Sequence, residues 1–359
     1  MPKLLKKRSD LINETLQKAE RDGIELDNGV VLSEEYLNRH RSFFEMIMSI
    51  FSAYPDIFLD IIRPVGEEFE LFFYQRIVLR AIMRFKKVYV VACRAFSKSF
   101  ITILALFLQC VFMPGTKRFI CAPGKGQSAQ IAKEKLAEIF RIWPLLRKEV
   151  VGGDISEMPG NYGKDYVTLK FRNGSVFDVV GALDSTRGGR RMGGLLDEIR
   201  DHDETAVNEI VLPLLNVSRR LPDNTVNPKE PNQQRIYMTS AGVKTSFAYD
   251  SLIDTFETAI IDPKTAFVFG CDYRIPVLHG LLDKQYINEL RMSPSYNEES
   301  FAREYMSIWS GSSDESWFNF DKLQKYRKIK NPELHAKNKL QSNEFYLLSV
   351  DVGRLNDAT

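Results

Sequence analysis

The stretch "VYVVACRAFSKSFITILALFLQC", Val88 to Cys110, sets a short polar break between two apolar runs, and the break holds Arg94, Lys98 and Ser99. Those residue types can handle phosphate. A strand that ends in a tight turn aims backbone N–H groups at an anion, with the positive N-terminus of the next helix behind it. A lysine then reaches the outer phosphates, and a serine or threonine hydroxyl takes a divalent cation, in the pattern G-x-x-x-x-G-K-[ST]. Lys98 and Ser99 keep the last two positions, while Ala92 and Ser97 stand where the glycines would. Serine is short enough to let backbone approach phosphate, at a conformational cost. The bland alternative is a helix cap followed by a solvated lysine.

Further stretches could complete such a site. "GGLLDEIRDHDE" places Asp197 and Glu198 at the end of a short apolar strand. In an ATPase of this loop type the aspartate completes the Mg²⁺ shell and a neighbouring glutamate polarises the attacking water. An acidic strand end facing solvent would read the same. "QRIYMTSAG" ends another apolar strand in Thr239 and Ser240, hydroxyls able to sense a terminal phosphate or merely to satisfy loop backbone. In "FELFFYQRIVLRAI", Gln75 precedes the phosphate strand; its amide could pair with N6 and N7 of adenine, or sit on the polar side of an amphipathic helix.

The elements that must position these residues alternate. Helical spacing is visible at Leu11, Ile12 and Leu16 and again at Phe43, Phe44, Ile47 and Ile50. Strands are expected at Val88–Ala92, Arg118–Pro123, Gly194–Asp197, Arg235–Ser240 and Ala266–Tyr273, with helices over Ser99–Phe112 and Ser128–Trp143. "YVTLKF" and "SVFDVV" flank Asn173-Gly174, which predicts a hairpin closed by a type I′ turn with two positive φ angles. Alternating strands and helices define an α/β domain with a mainly parallel sheet. Leu221–Gln234, rich in Pro and Asn, is expected to be the most mobile loop. The charged run from Leu323 to Asn343 precedes a new apolar strand, "FYLLSVDVG", as a linker into another domain would.

Composition narrows the class. The chain has 359 residues, 44% of them apolar and 27% charged, ordinary for a soluble globular protein of more than one domain. A formal charge of +2 excludes a polyanion-coating protein, so nucleic acid could be met only through local runs such as Lys3–Arg8, Arg84–Lys87 and Lys325–Lys330. Cys93, Cys110, Cys121 and Cys271 show no CxxC spacing and read as small buried hydrophobes in a reducing compartment. The N-terminus lacks the apolar core of a signal peptide, and Phe100–Met113 is too short to span a bilayer. A soluble, intracellular protein is expected.

The motifs, in their order, resemble the large subunit of tailed-bacteriophage terminases, DNA-packaging ATPases with a C-terminal ribonuclease-H-like nuclease. Arg94 and Lys98 have the spacing of that family's phosphate loop, which often lacks the first glycine; Ser97 in place of the second is a departure. "FICAPGKGQSAQIAKEKL", "STRGGRRMGGLLDE", "MTSA", "SFAREYMSIW" and "FYLLSVDVGRLNDAT" resemble successive family segments. The likeness runs from about Leu71 to Thr359 and leaves the first sixty residues without a counterpart.

The resemblance implies a P-loop NTPase fold with a helical N-terminal region (1–60), a motor domain with its lid and linker segment (61–335) and the start of a nuclease domain (336–359). It implies that Lys98, Ser99 and Ser97 bind ATP phosphates, that Ser99 and Asp197 hold Mg²⁺, that Glu198 is the catalytic base, and that Gln75 reads adenine. Arg94 would stabilise charge on the γ-phosphate in cis, Thr239 would couple hydrolysis to movement, and Arg187, Arg190 or Arg191 would act in trans on a neighbour. Asp351 would be the first ligand of a nuclease Mg²⁺ or Mn²⁺; with only Asp357 beside it, this chain is expected to lack nuclease activity. Implied partners are double-stranded DNA, the portal protein, the terminase small subunit and further copies in a ring, docked on a procapsid in the host cytoplasm, with no membrane. Two alternatives stand beside it: another P-loop translocase or helicase, and a nucleotide-binding assembly protein without turnover.

Overall fold

The computed structural model describes residues 34–181, 189–311 and 325. Expectations placed on residues 1–33, Arg187, the strand from Phe345, Asp351 and Asp357 lie outside the described residues. The chain divides into two compact units, Met1–Ser310 and Gly311–Thr359.

The first unit is built on one eight-stranded sheet, in the order β3-β4-β5-β2-β6-β7-β1-β8. The strands are β1 (Lys87–Ala92), β2 (Lys117–Cys121), β3 (Asn161–Tyr162), β4 (Val167–Lys170), β5 (Val176–Val179), β6 (Gly193–Asp197), β7 (Gln234–Thr239) and β8 (Ala266–Cys271). From β5 to β8 all neighbours are parallel, and only the β3–β4–β5 end is antiparallel. The fold class is therefore α/β with a mainly parallel sheet.

Helices cover both faces of that sheet, which is why its central strands carry apolar runs at Val88–Ala92, Phe119–Cys121, Leu195–Leu196 and Ile236–Met238. On one face Val88, Val90, Ile120, Leu195, Ile236 and Met238 pack under α4 (Phe73–Arg84), α5 (Lys98–Phe112) and α6 (Lys125–Ile142). Their neighbours Tyr89, Val91, Phe119, Cys121, Leu196 and Tyr237 face the short helical turns between Ile199 and Leu215 and the helix α7 (Phe247–Ile261). The alternation is the two-residue period of a strand. Helix α5 lies within the core, with every residue from Phe100 to Cys110 buried. Among the described residues no single helix is long and apolar enough to cross a membrane.

Three helices precede this core: α1 (Glu34–Arg39), α2 (Arg41–Ala53) and α3 (Pro55–Ile61). Asp56 of α3 is buried and receives hydrogen bonds from Arg76 and Arg80 of α4, which anchors α3 to the sheet-covering layer. Beyond β8, α8 (Arg274–Leu278), α9 (Lys284–Met292) and α10 (Glu298–Glu304) close a small core of Ile287, Phe301 and Tyr305.

One expectation is corrected. The hairpin forms, but its turn has one positive φ, at Gly174, and is not type I′. Gly174 N–H donates to the Phe171 carbonyl and Phe171 N–H to the Ser175 carbonyl, so the loop is a three-residue turn with glycine at the left-handed position. Asn173 is engaged elsewhere: its amide nitrogen bonds the Cys110 and Val111 carbonyls near the end of α5. The loop 221–234 is tied to the domain at its base. The buried Arg219 pairs with Glu230 and donates to the Pro114 carbonyl, while its backbone N–H reaches Asn232 Oδ1.

Candidate nucleotide site

Strand order brings the chemistry together. β7 lies between β1, which leads into the turn before Lys98, and the acidic strand β6. Register sets Val90, Met238 and Asp197 in one row across the three strands, and Val91 beside Thr239 in the next. All three strands are parallel, so their C-terminal ends lie together at one edge of the sheet, the edge at which open α/β sheets bind ligands.

Between β1 and α5 the chain makes the tight turn that the sequence predicted. Ala95 (φ 63°) and Ser97 (φ 67°) both take left-handed backbone, and Ser97 is the N-cap of α5. The second glycine position thus keeps the glycine-like conformation without glycine. Such a conformation costs an ordinary side chain roughly 1–2 kcal/mol per residue, and residues of this kind concentrate where function over-determines the backbone. Tyr74 of α4 supports the turn: its ring lies 4.7 Å from that of Phe96, and its hydroxyl donates to the Phe96 carbonyl over 3.3 Å.

Lys98 bends back over the end of β1. Its Nζ donates to the Ala92 and Cys93 carbonyls at 2.9 and 3.3 Å, meets Ser240 Oγ at 3.3 Å, and lies 3.8 Å from Glu198 Oε1. The next residue, Ser99, donates from Oγ to Asp197 Oδ2 over 2.9 Å. Asp197 is buried, and its other oxygen, Oδ1, has no hydrogen-bond partner among the described residues. An unpartnered carboxylate oxygen in a buried position is a costly arrangement that a cation would relieve. Burial pushes the Asp197 carboxyl up to about 6; the nearby Glu198 charge adds to this, while the Ser99 bond and Lys98 oppose it. Ser99 and Asp197 accordingly fit a hard divalent cation with oxygen ligands.

In a continuous strand Asp197 and Glu198 would point to opposite faces. Glu198 instead leaves β6 with φ 49°, in left-handed backbone, and turns its carboxylate to the end of β7. There Oε2 lies 3.3 Å from the Thr239 hydroxyl and accepts from Ser240 N–H over 3.3 Å. Thr239 also meets the Ser240 carbonyl at 2.8 Å. His202, whose pKa burial lowers, sits within 2.9 Å of the Asp197 carbonyl and closes the turn.

The structure therefore brings together Ser97, Lys98, Ser99, Asp197, Glu198 and Thr239. It places other expected residues differently. Gln75 is buried, and its Oε1 accepts from Phe72 N–H over 2.9 Å, so the amide serves here as a helix cap. Arg191 is paired with Asp178 on β5. Arg190 is exposed, and Arg187 lies outside the described residues. Arg94 is held by Glu304: Nε donates to Oε2 over 2.9 Å, and the Arg94 N–H donates to the Glu304 carbonyl over 3.1 Å.

Sequence reasoning gave Glu304 and Arg200 no role. Glu304 Oε1 lies 2.6 Å from Arg200 Nη1, which also donates to the Ala241 carbonyl, and Arg200 Nε is 3.9 Å from Glu198 Oε2. The letters "DEIR" and "FAREY" contain both residues, but an ion pair between segments a hundred residues apart leaves no local signal.

The fold and the site define an α/β protein with a phosphate-loop-type strand–turn–helix and a neighbouring pair of carboxylates. No family model and no curated protein matches the sequence. Among solved structures, the large terminase ATPase domain of Thermus phage P74-26 is similar over 69% of this chain and 99% of its own, with 15% identity and a TM-score of 0.47. A mutant of the same domain gives 14% identity, the same coverage and a TM-score of 0.48. The large terminase of a thermophilic bacteriophage is similar over 66% of this chain and 52% of its own, with 13% identity and a TM-score of 0.46.

Proposed function

We propose that the chain is an Mg²⁺-dependent ATPase and the motor part of a large terminase, driving double-stranded DNA into a procapsid. One observation carries the catalytic half of this reading: Ser99 Oγ bonds Asp197 Oδ2 while Asp197 Oδ1 is buried without a partner among the described residues, beside Lys98 and Glu198. Lys98 has the reach to leave the β1 carbonyls for the outer phosphates of a nucleotide. The N–H groups of the 93–98 turn and the start of α5 supply the anion cradle. Ser99 and Asp197 would hold Mg²⁺, which supplies charge neutralisation between the phosphates. Glu198, set by Thr239 and Ser240, orients water for attack and accepts its proton. Because Thr239 touches the base and ends the strand beside β1, it is suited to pass the hydrolytic state to the neighbouring loops.

The packaging half rests on the ordered motif set between Leu71 and Trp309. Portal, small subunit, a ring of copies, a trans-acting arginine and docking on the procapsid in the host cytoplasm belong to the same proposal, as does adenine recognition by Gln75 after a side-chain change.

The test is Mg²⁺-ATP binding and hydrolysis by the wild type, Lys98→Ala and Glu198→Gln. Turnover lost in both, with ATP still bound by Glu198→Gln, is the expected result. Absence of any Lys98-dependent ATP binding would refute the assignment.

A further inference from the structure

We propose, on the basis of that reading, that Glu304 is a positioning residue: it holds Arg94 by Nε and leaves the terminal nitrogens of that guanidinium for the nucleotide's outermost phosphate. Arg94 sits on a strained turn, and its side chain is 64% exposed, so it has little packing to fix its rotamer. Glu304 fixes it twice. The carbonyl of Glu304 accepts the Arg94 backbone N–H at 3.1 Å, and the carboxylate takes Nε at 2.9 Å. A guanidinium is a rigid planar fork, so one bond at Nε orients the whole group. Neither terminal nitrogen of Arg94 has a hydrogen-bond partner among the described residues, which is the arrangement expected of an arginine prepared for an anion.

Glu304 is itself held in place. Arg200 grips its other oxygen at 2.6 Å and is tied in turn to the Ala241 carbonyl. Burial alone would raise the Glu304 pKa, but Arg200 and Arg94 outweigh it and keep the carboxyl below its ordinary value, so the bridge is charged at neutral pH. Downstream, the chain is bound to the loop after β7: Ser310 N–H donates to the Gly242 carbonyl and Lys244 N–H to the Ser310 carbonyl, at 3.0 and 2.9 Å. The segment from Glu304 to Ser310 thus touches the phosphate loop at one end and the loop after Thr239 at the other. Arg200 places the same carboxylate within one side chain of Glu198.

An arginine that reads the outermost phosphate favours ATP over ADP, so the proposal is read from that preference. The full chain is titrated with Mg²⁺ and fluorescent forms of a non-hydrolysable ATP analogue and of ADP. Variants are Arg94→Ala, Glu304→Gln and both together, each checked for a cooperative melt. Loss of one charge-assisted hydrogen bond predicts an about tenfold fall in the ATP-to-ADP affinity ratio for Glu304→Gln. Arg94→Ala is expected to lose at least as much, and the double variant no more than Arg94→Ala alone. Should Glu304→Gln fail to fold, Arg94→Lys carries the test. A single ammonium cannot serve both carboxylate and phosphate in the fork geometry, so the ratio falls in the same way. A wild-type ratio in Glu304→Gln or Arg94→Lys overturns the proposal. So does an equal loss of ATP and ADP affinity, or an undiminished effect of Glu304→Gln in the Arg94→Ala background. Absence of Lys98-dependent binding in the wild type overturns the ATPase reading itself, and this inference with it.

Discussion

The hydroxyl of Ser99 donates to Asp197 Oδ2 over 2.9 Å, joining the first turn of α5 to the end of β6 across the intervening strand β7. Residues 98 positions apart in the chain thus form a polar contact at the proposed cation site. The buried carboxylate has this hydroxyl on one oxygen and, among the described residues, no hydrogen-bond partner on the other.

Removing the hydroxyl should therefore act on both stability and binding. Ser99→Ala strips Asp197 of its side-chain donor, a loss of about 1.5–3 kcal/mol for a bond to a charged group. It should also abolish the Mg²⁺-dependent part of ATP binding, while Ser99→Thr retains both properties. Calorimetric titration with and without Mg²⁺, beside urea unfolding, checks this. Wild-type Mg²⁺ dependence in Ser99→Ala would remove Ser99 from the cation site.

Asp197 gives a prediction in pH. The folded protein keeps its proton up to about pH 6, against an ordinary value of 3.8. Between those values the folded state binds more protons than the unfolded chain, so stability contributed by this group falls as pH rises. Ionised Asp197 thus costs up to about 2–3 kcal/mol above pH 6. Asp197→Asn should melt higher than wild type at pH 7.5, and the gap should close towards pH 4. Adding Mg²⁺ should raise the wild-type midpoint and leave the variant unmoved. A constant gap across pH would show that ionisation is not its source.

What was legible in the sequence follows from range. β1, β6, β7 and α5 could be read because a strand or helix buried on both sides is apolar throughout, and its polar ends then stand out. Lys98, Ser99, Asp197 and Glu198 are such ends. Contacts set by the fold were not legible. The Asn173 amide is engaged by the Cys110 and Val111 carbonyls, which overrides the turn that the dipeptide prefers. Nothing in the letters marks Arg118 as buried, yet it is, and burial lowers its pKa to about 10. The bridge from Arg94 through Glu304 to Arg200 likewise exists only once β1, β6 and α10 are assembled.

The glycines that open β6 show a packing demand that their letters only hint at. A Cβ on Gly194 would lie 2.4 Å from the Phe119 ring of β2, and one on Gly193 would lie 1.9 Å from Arg118 Nη1. Phe119 is itself buried. Gly194→Ala must therefore displace a ring in a close-packed layer, at about 1–3 kcal/mol. The shift would carry along β6 to Asp197, so Mg²⁺-ATP affinity should fall with stability. A denaturation midpoint equal to wild type would contradict this.

Ser97 permits the opposite experiment. Its φ of 67° is one that glycine adopts freely and serine does not. Ser97→Gly restores the glycine of the common phosphate-loop pattern and relieves left-handed strain of roughly 1–2 kcal/mol. Part of that gain is offset by the greater freedom of glycine in the unfolded chain. The net expectation is a gain of about 0.5–1 kcal/mol in unfolding free energy, with ATP affinity equal to or above that of the wild type. Ser97→Ala keeps the strain and should show no such gain. If Ser97→Gly instead loses nucleotide binding while Ser97→Ala also loses it, the serine hydroxyl is itself a phosphate ligand, and the departure from glycine is a gain of a contact. Loss of binding in Ser97→Gly alone would mean that the turn needs the stiffness of a side chain at this position to hold the cradle open for the nucleotide.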